Sequence, residues 1–211
     1  RRRGGRRGLA PRRRIRRALM TWLVAGLGNP GDRYANTRHN VGRLVAGELA
    51  RRAGERFKKA RFLPVEVAET REAGERVLLA SSTRFMNESG PSYASLAKKH
   101  DVETDHLIAV YDELDIAAGE LRVKLGGGSS HNGVKSLQQA LRARQFLHVR
   151  IGIGRPPGRQ DPADFVLQPI GKKLEVDIAI WVDRAADAVG SLVTDGLTTT
   201  QDRFNRQAPP G

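Results

Sequence analysis

The chain contains no cysteine, which excludes a disulfide scaffold, an iron–sulfur cluster, a thiol nucleophile and cysteine-ligated zinc. Any chemistry has to come from histidine, carboxylates, hydroxyls, amides or the backbone. No apolar run approaches the ~20 residues that a membrane-spanning helix needs, so the expectation is a soluble protein with no membrane partner. At 211 residues and 39% hydrophobic, the chain suffices for one domain with a proper core and is too short for two full-sized ones. Charged residues at 28%, with 23 glycines and 10 prolines, argue against wholesale disorder and against collagen-like or coiled-coil rods.

The formal net charge of +14 is unevenly spread. Residues 1–17, RRRGGRRGLAPRRRIRR, carry ten arginines and no acid, which leaves 27 basic against 23 acidic residues in the remainder. The folded part is therefore only mildly basic, and any RNA affinity there must come from placed lysines and arginines rather than from bulk charge. The leader and the apolar stretch Ala18–Leu27 imitate a secretory signal, but GNPGDRYANTRHN follows without a small-residue cleavage site. The expectation is an arginine-rich, disordered leader over 1–19 ahead of a natural start at Met20, in preference to an RNA-contacting arm or a targeting signal. One folded domain is expected over 20–205, with a flexible tail over 206–211.

TWLVAGL (21–27) reads as a strand, and 38–52 as a helix with Val41, Leu44, Val45 and Leu49 on one stripe. Residues 62–68 and 76–80 read as strands joined by a turn around Glu72–Gly74. A helix starts near Asn87 and carries lysines in its last turn. HLIAVY (106–111) has the continuous apolar character of a strand buried on both faces. Residues 121–125 and 148–153 alternate as strands, 132–144 forms a helix with Val134, Leu137 and Leu141 inward, and 172–194 closes the core as a long helix. RPPGRQDP (155–162) reads as a long loop. Strands interleaved with helices at this spacing give an α/β fold, a single three-layer domain whose twisted mixed β-sheet is flanked by helices.

Two motifs mislead. GLGNPG matches the dinucleotide-binding fingerprint and offers a dinucleotide-dependent oxidoreductase as an alternative. In such enzymes the helix opens at the glycines to hold the pyrophosphate, whereas here Pro30 and DRYANT intervene, and Glu48 falls inside a helix rather than at a strand end. GSSHNGVKS is one insertion away from a phosphate-binding P-loop, and the extra Val134 turns Lys135 about 100° around the helix. The five histidines show no HExxH pattern, so no metal is expected, and no GxSxG elbow mounts a serine nucleophile.

Ligands of open α/β sheets bind beyond the carboxyl ends of the strands. Polar residues just after apolar strands are therefore the candidates: Asn29 after the first strand, Asn87 after RVLLA, Asp112 after LIAVY, and Asn132 at a helix start behind a glycine loop. If the first three strands are parallel neighbours, Asn29, Asn87 and Asp112 share one rim and His39 returns to it at the start of the next helix. One imidazole then lies near one carboxylate among three amides. The Asp fixes the tautomer, the other ring nitrogen serves as a base near neutral pH, and the amides hold a peptide backbone. Singly, each residue also has an ordinary structural explanation as a turn former, a helix cap or an Asx turn.

GLGNPGDRYANTRHNVG (26–42), TRFMNESG (83–90), YDELDIAAGELRVKLGGG (111–128), HNGVKS (131–136) and VRIGIGRPPGRQDPADFVL (149–167) together resemble bacterial-type peptidyl-tRNA hydrolase. The likeness runs in order from about Leu23 to the RFN near the C-terminus. It implies a cytoplasmic, monomeric enzyme without cofactor that cuts the ester between a peptide and tRNA, recycling tRNA from stalled ribosomal material. It further implies His39 as base, Asp112 as the carboxylate orienting it, and Asn29 as the residue distinguishing N-blocked from free aminoacyl-tRNA. Asn87 and Asn132 would bind substrate and position water, with Tyr34, Phe85 and Met86 lining the site and Lys124 and Arg150 contacting phosphates. Backbone N–H groups of GGGSSHNG are expected to face the developing oxyanion. With aromatics at 5%, phosphates rather than base stacking are expected to carry tRNA affinity.

Two departures stand out. Only Ser129 and Ser130 separate GGG from HNG where the family has three residues, and Tyr111 replaces a common histidine, which would leave His39 without a nearby competitor. The remaining alternative is an inactive RNA-binding scaffold of the same fold.

Overall fold

The computed structural model describes residues 20–205. The leader and tail expected at the two ends lie outside the described residues. Seven strands, β1 (Thr21–Gly26), β2 (Lys58–Lys59), β3 (Val65–Glu72), β4 (Glu75–Ser82), β5 (Leu107–Glu113), β6 (Leu121–Leu125) and β7 (Leu147–Gly152), form one sheet in the order β2-β3-β4-β1-β5-β7-β6. The four central strands β4, β1, β5 and β7 are parallel, and β2, β3 and β6 join antiparallel at the edges. This is the mixed sheet that the strand and helix spacing anticipates.

The alternation of side chains along a strand splits the core in two. Trp22 and Val24 of β1 face one apolar layer, and Leu23 and Ala25 face the other. The first layer is covered by α2 (Val41–Arg52), α6 (Lys172–Thr194) and α7 (Leu197–Phe204), the second by α3 (Gly90–Lys99) and α4 (Asn132–Leu141). A strand with helices on both faces needs apolar residues at every position, which is why β1 and β5 read as unbroken apolar runs. Gly42 lets α2 lie close on this sheet, because a Cβ there would stand 2.1 Å from the Val110 carbonyl oxygen and 2.7 Å from that of Leu27.

Several boundaries differ from the sequence reading. The helix expected over 38–52 is a single 3₁₀ turn, Arg38–Asn40, followed by α2. The strand expected from Phe62 starts at Val65, because Leu63 N–H closes a turn onto the Ala60 carbonyl at 3.2 Å. The helix expected to reach Arg144 stops at Leu141, where Arg142 takes a left-handed φ of 52°. Three short helices were not anticipated: α1 (Asp32–Ala35), α5 (Pro162–Leu167) and α7. For α5 the signal was present, since the Asp161 carboxylate accepts from Ala163 N–H at 2.7 Å and Pro162 occupies the first helical position.

Candidate active site

Because β4, β1 and β5 are parallel neighbours, the segments that leave their carboxyl ends meet on one rim. The loop after β1 brings Asn29, the 3₁₀ turn before α2 brings His39, the segment after β4 brings Phe85, Met86 and Asn87, and β5 carries Asp112 one residue before its end. Together with Asn132 at the start of α4 they line a cleft of about 370 Å³, whose far wall is the apolar side of α5, Val166 and Leu167.

His39 Nδ1 lies 3.0 Å from Asp112 Oδ1 and 3.1 Å from Oδ2. The Asp112 side chain is 2% exposed and that of His39 14%, so the pair is shielded from bulk water on the carboxylate side. Burial alone would disfavour the imidazolium of His39, but the charge and hydrogen bond of Asp112 outweigh it and hold the pKa above the ordinary histidine value. For Asp112, burial favours the neutral acid, and the two imidazoles beside it outweigh that and hold its carboxyl well below the usual carboxylate range.

The second imidazole is a correction to the sequence reading, which had one histidine and no competitor. His131 Nε2 lies 2.9 Å from Asp112 Oδ1, while its Nδ1 accepts from Gly133 N–H at 3.2 Å. Since Nδ1 is an acceptor there, Nε2 is the nitrogen that carries hydrogen and donates to Asp112. His131 caps α4, and that cap fixes where its ring points. The same bond engages the Gly133 N–H, one of the backbone donors expected to face an oxyanion.

Asn29 is buried, and its amide orientation is set by its partners. Its Oδ1 accepts from Met86 N–H at 2.8 Å, which leaves Nδ2 as the side-chain donor facing the cleft. Asn40 clamps the Asn29 backbone from both sides, accepting from its N–H at 2.8 Å and donating to its carbonyl at 2.9 Å. Sequence reasoning missed Asn40, although it stands beside His39 in TRHN. Asn87 and Asn132 line the cleft from exposed positions.

Tyr34 stands outside the lining and meets Phe85 edge to face, with ring centroids 6.1 Å apart. Lys124 and Arg150 also lie outside it, on the edge strand β6 and on its neighbour β7. Arg150 reaches Glu113 at 3.8 Å, and burial together with the Arg150 charge lowers the Lys124 pKa. Between these two cations lies His148, fully buried, with Nδ1 3.0 Å from the Tyr111 hydroxyl. Burial, then the charges of Lys124 and Arg150, push His148 down to about 3. The Tyr111 ring in turn packs on His131 at 4.9 Å.

Among the described residues, His39, Asp112 and His131 also have ligand atoms within 4.8 Å of one another, close enough to embrace a cation. The hydrogen bonds between them use the same protons and lone pairs, so a bound cation and this network exclude each other.

A His–Asp pair in an amide-lined cleft at the strand ends of an α/β domain is the arrangement that an acid–base hydrolase requires. The sequence pattern of the peptidyl-tRNA hydrolase family matches residues 23–210. The chain is 47% identical over 196 residues to a peptidyl-tRNA hydrolase of Cutibacterium acnes, an alignment covering 88% of this chain and 98% of the relative. It is 49% identical over 185 residues to that of Frankia casuarinae, covering 87% and 93%. The solved peptidyl-tRNA hydrolase of Acinetobacter baumannii superimposes with a TM-score of 0.82 at 29% identity, over 90% of this chain and 97% of that one. The chain belongs to the peptidyl-tRNA hydrolase family.

Proposed function

We propose that the chain hydrolyses the ester between a peptide and the terminal ribose of tRNA, with His39 as the base. Family membership over nearly all described residues supports the activity, and the His39–Asp112 pair at the amide-lined cleft supports the mechanism. His39 Nε2 takes a proton from water as the oxygen attacks the ester carbonyl. The resulting imidazolium is stabilised by Asp112 and returns the proton to the departing ribose oxygen. Asn29 Nδ2, Asn87 and Asn132 hold the peptide carbonyl and the water. A sugar alkoxide leaves more readily than an amine, so a positioned base and donors suffice without a covalent intermediate.

Lys124 and Arg150 contact phosphates of the tRNA. The enzyme works as a monomer in the cytoplasm, on peptidyl-tRNA from stalled ribosomal material; no helix among the described residues is long and apolar enough to cross a membrane. Neither an inactive scaffold nor an oxidoreductase finds support. Behind GLGNPG the next helix is the single turn α1, and α2 opens only at Val41, too late to hold a pyrophosphate on its N-terminus. The test is incubation with an N-acetylated aminoacyl-tRNA with and without EDTA. Ester cleavage at equal rates is expected, and no cleavage, or cleavage abolished by chelation, would count against the reading.

A further inference from the structure

Three Arg-aromatic dipeptides stand at the cleft end of the sheet: Arg33-Tyr34 in α1, Arg84-Phe85 after β4, and Arg61-Phe62 in the turn between β2 and β3. The last plays no part in the site described so far. Val65 pairs with Ser82, and Thr83 N–H donates to the Pro64 carbonyl at 2.9 Å. The Phe62 turn therefore sits beside the segment that carries Phe85 and Asn87. A cavity of about 580 Å³ lined by Pro64, Arg84, Asn87, Glu88 and Gln139 lies next to the turn, and Asn87 also lines the catalytic cleft.

Phe62 is unfavourable twice over in the isolated chain. It is 88% exposed, and it occupies the third position of a hydrogen-bonded turn at φ 65°, a left-handed conformation suited to glycine or asparagine. The Arg61 guanidinium lies over its ring, 4.7 Å from the centroid. Exposed Lys58, Lys59 and Arg84 flank the turn, and the neighbouring acid Glu66 is engaged by Arg43 at 3.7 Å. An exposed aromatic face among cations is the combination that binds unpaired nucleotides, the ring taking the base and the cations the phosphates.

We propose that Phe62, framed by Arg61, is an outer stacking platform for an unpaired nucleotide of the tRNA acceptor end, upstream of the terminal ribose held in the cleft. The proposal rests on the tRNA reading of the function. It also refines the expectation drawn from the low aromatic content: the aromatics are few, but three of them stand with arginines at the rim that the RNA would cross. An uncharged peptide would gain nothing from the cations beside the ring, whereas nucleotide phosphates would, so RNA is the occupant that the charge favours.

The test measures binding of deacylated tRNA to the full chain carrying Phe62→Gly or Phe62→Trp, alongside kcat and KM on an N-acetylated aminoacyl-tRNA. Glycine suits the left-handed φ, so the first variant keeps the fold and melts no lower than the parent. Phe62→Gly should weaken tRNA binding about tenfold, as the loss of one base stack does, and raise KM with kcat unchanged, whereas Phe62→Trp should bind as the parent does. Unchanged tRNA affinity in Phe62→Gly overturns the proposal. So does a KM that rises only for substrates with long peptides, which would assign the ring to the peptide. If the parent itself fails to cleave the ester, the functional reading falls, and the binding comparison still decides the role of Phe62.

Discussion

His39 and His131 share one oxygen of Asp112, at 3.0 and 2.9 Å. The carboxylate thus fixes the His39 tautomer and divides its charge between two donors. Asp112→Asn removes the charge and offers His39 an amide in place of a carboxylate. The expected result is a large fall in kcat with KM nearly unchanged. The acid limb of kcat/KM should also move to lower pH, because the burial that opposes the imidazolium is then uncompensated. A pH–rate profile of the variant checks both.

His131→Asn tests the division of charge. Asparagine remains a good N-cap for α4, but it removes the Nε2–H donor to Asp112. With the whole carboxylate available to His39, the acid limb should move to higher pH than in the parent, by less than about one unit. An unchanged limb would mean that His131 serves the helix alone.

His148 predicts a pH dependence of stability. Its folded pKa of about 3 lies below the unfolded value of ~6.5, so the unfolded chain binds the extra proton between these limits. The stability is fully present above pH ~6.5 and falls by about 1.4 kcal/mol per unit as the pH drops through that window. His39, whose pKa is raised, has the opposite sign: it stabilises below ~6.5 and loses that contribution as pH rises through its folded value. Asp112 acts only below the ordinary carboxylate range near ~3.9. Chemical denaturation of the parent and of His148→Phe between pH 4 and 6.5 isolates His148, and the variant should show the flatter slope. The substitution also removes the buried Nε2, which has no hydrogen-bond partner among the described residues.

Much of this was legible in sequence because the site follows a rule of the fold. Asn29, Asn87 and Asp112 are polar residues at or shortly after the carboxyl ends of apolar strands, and the parallel order β4-β1-β5 carries them to one rim. His131 was not assigned, because the direction of a side chain on a glycine loop depends on the cap it makes with Gly133, which no periodicity reports. Asn40 escaped because its partner is the Asn29 backbone, eleven residues earlier. The short helices α1, α5 and α7 were missed for a different reason: runs of four to eight residues are too brief to display a 3.6-residue period.

Lys124 and Arg150 are expected to act through charge rather than chemistry. Replacing either by alanine should raise KM more than it lowers kcat and should shallow the salt dependence of tRNA binding by about one unit of slope. Arg150 already meets Glu113 at 3.8 Å, so its alanine variant should show the smaller change. Salt titrations of the two variants against the parent measure the difference.

The proposed mechanism makes His39 Nε2 the base. Single-turnover hydrolysis of an N-acetylated aminoacyl-tRNA, followed across pH for the parent and for His39→Ala, tests it most directly. The parent rate should rise with pH through an apparent pKa above ~6.5, the direction set by Asp112. His39→Ala should lose that inflection and at least ~100-fold in rate. A variant that keeps near-parent turnover, or a parent profile without an inflection in this range, would show that His39 is not the base.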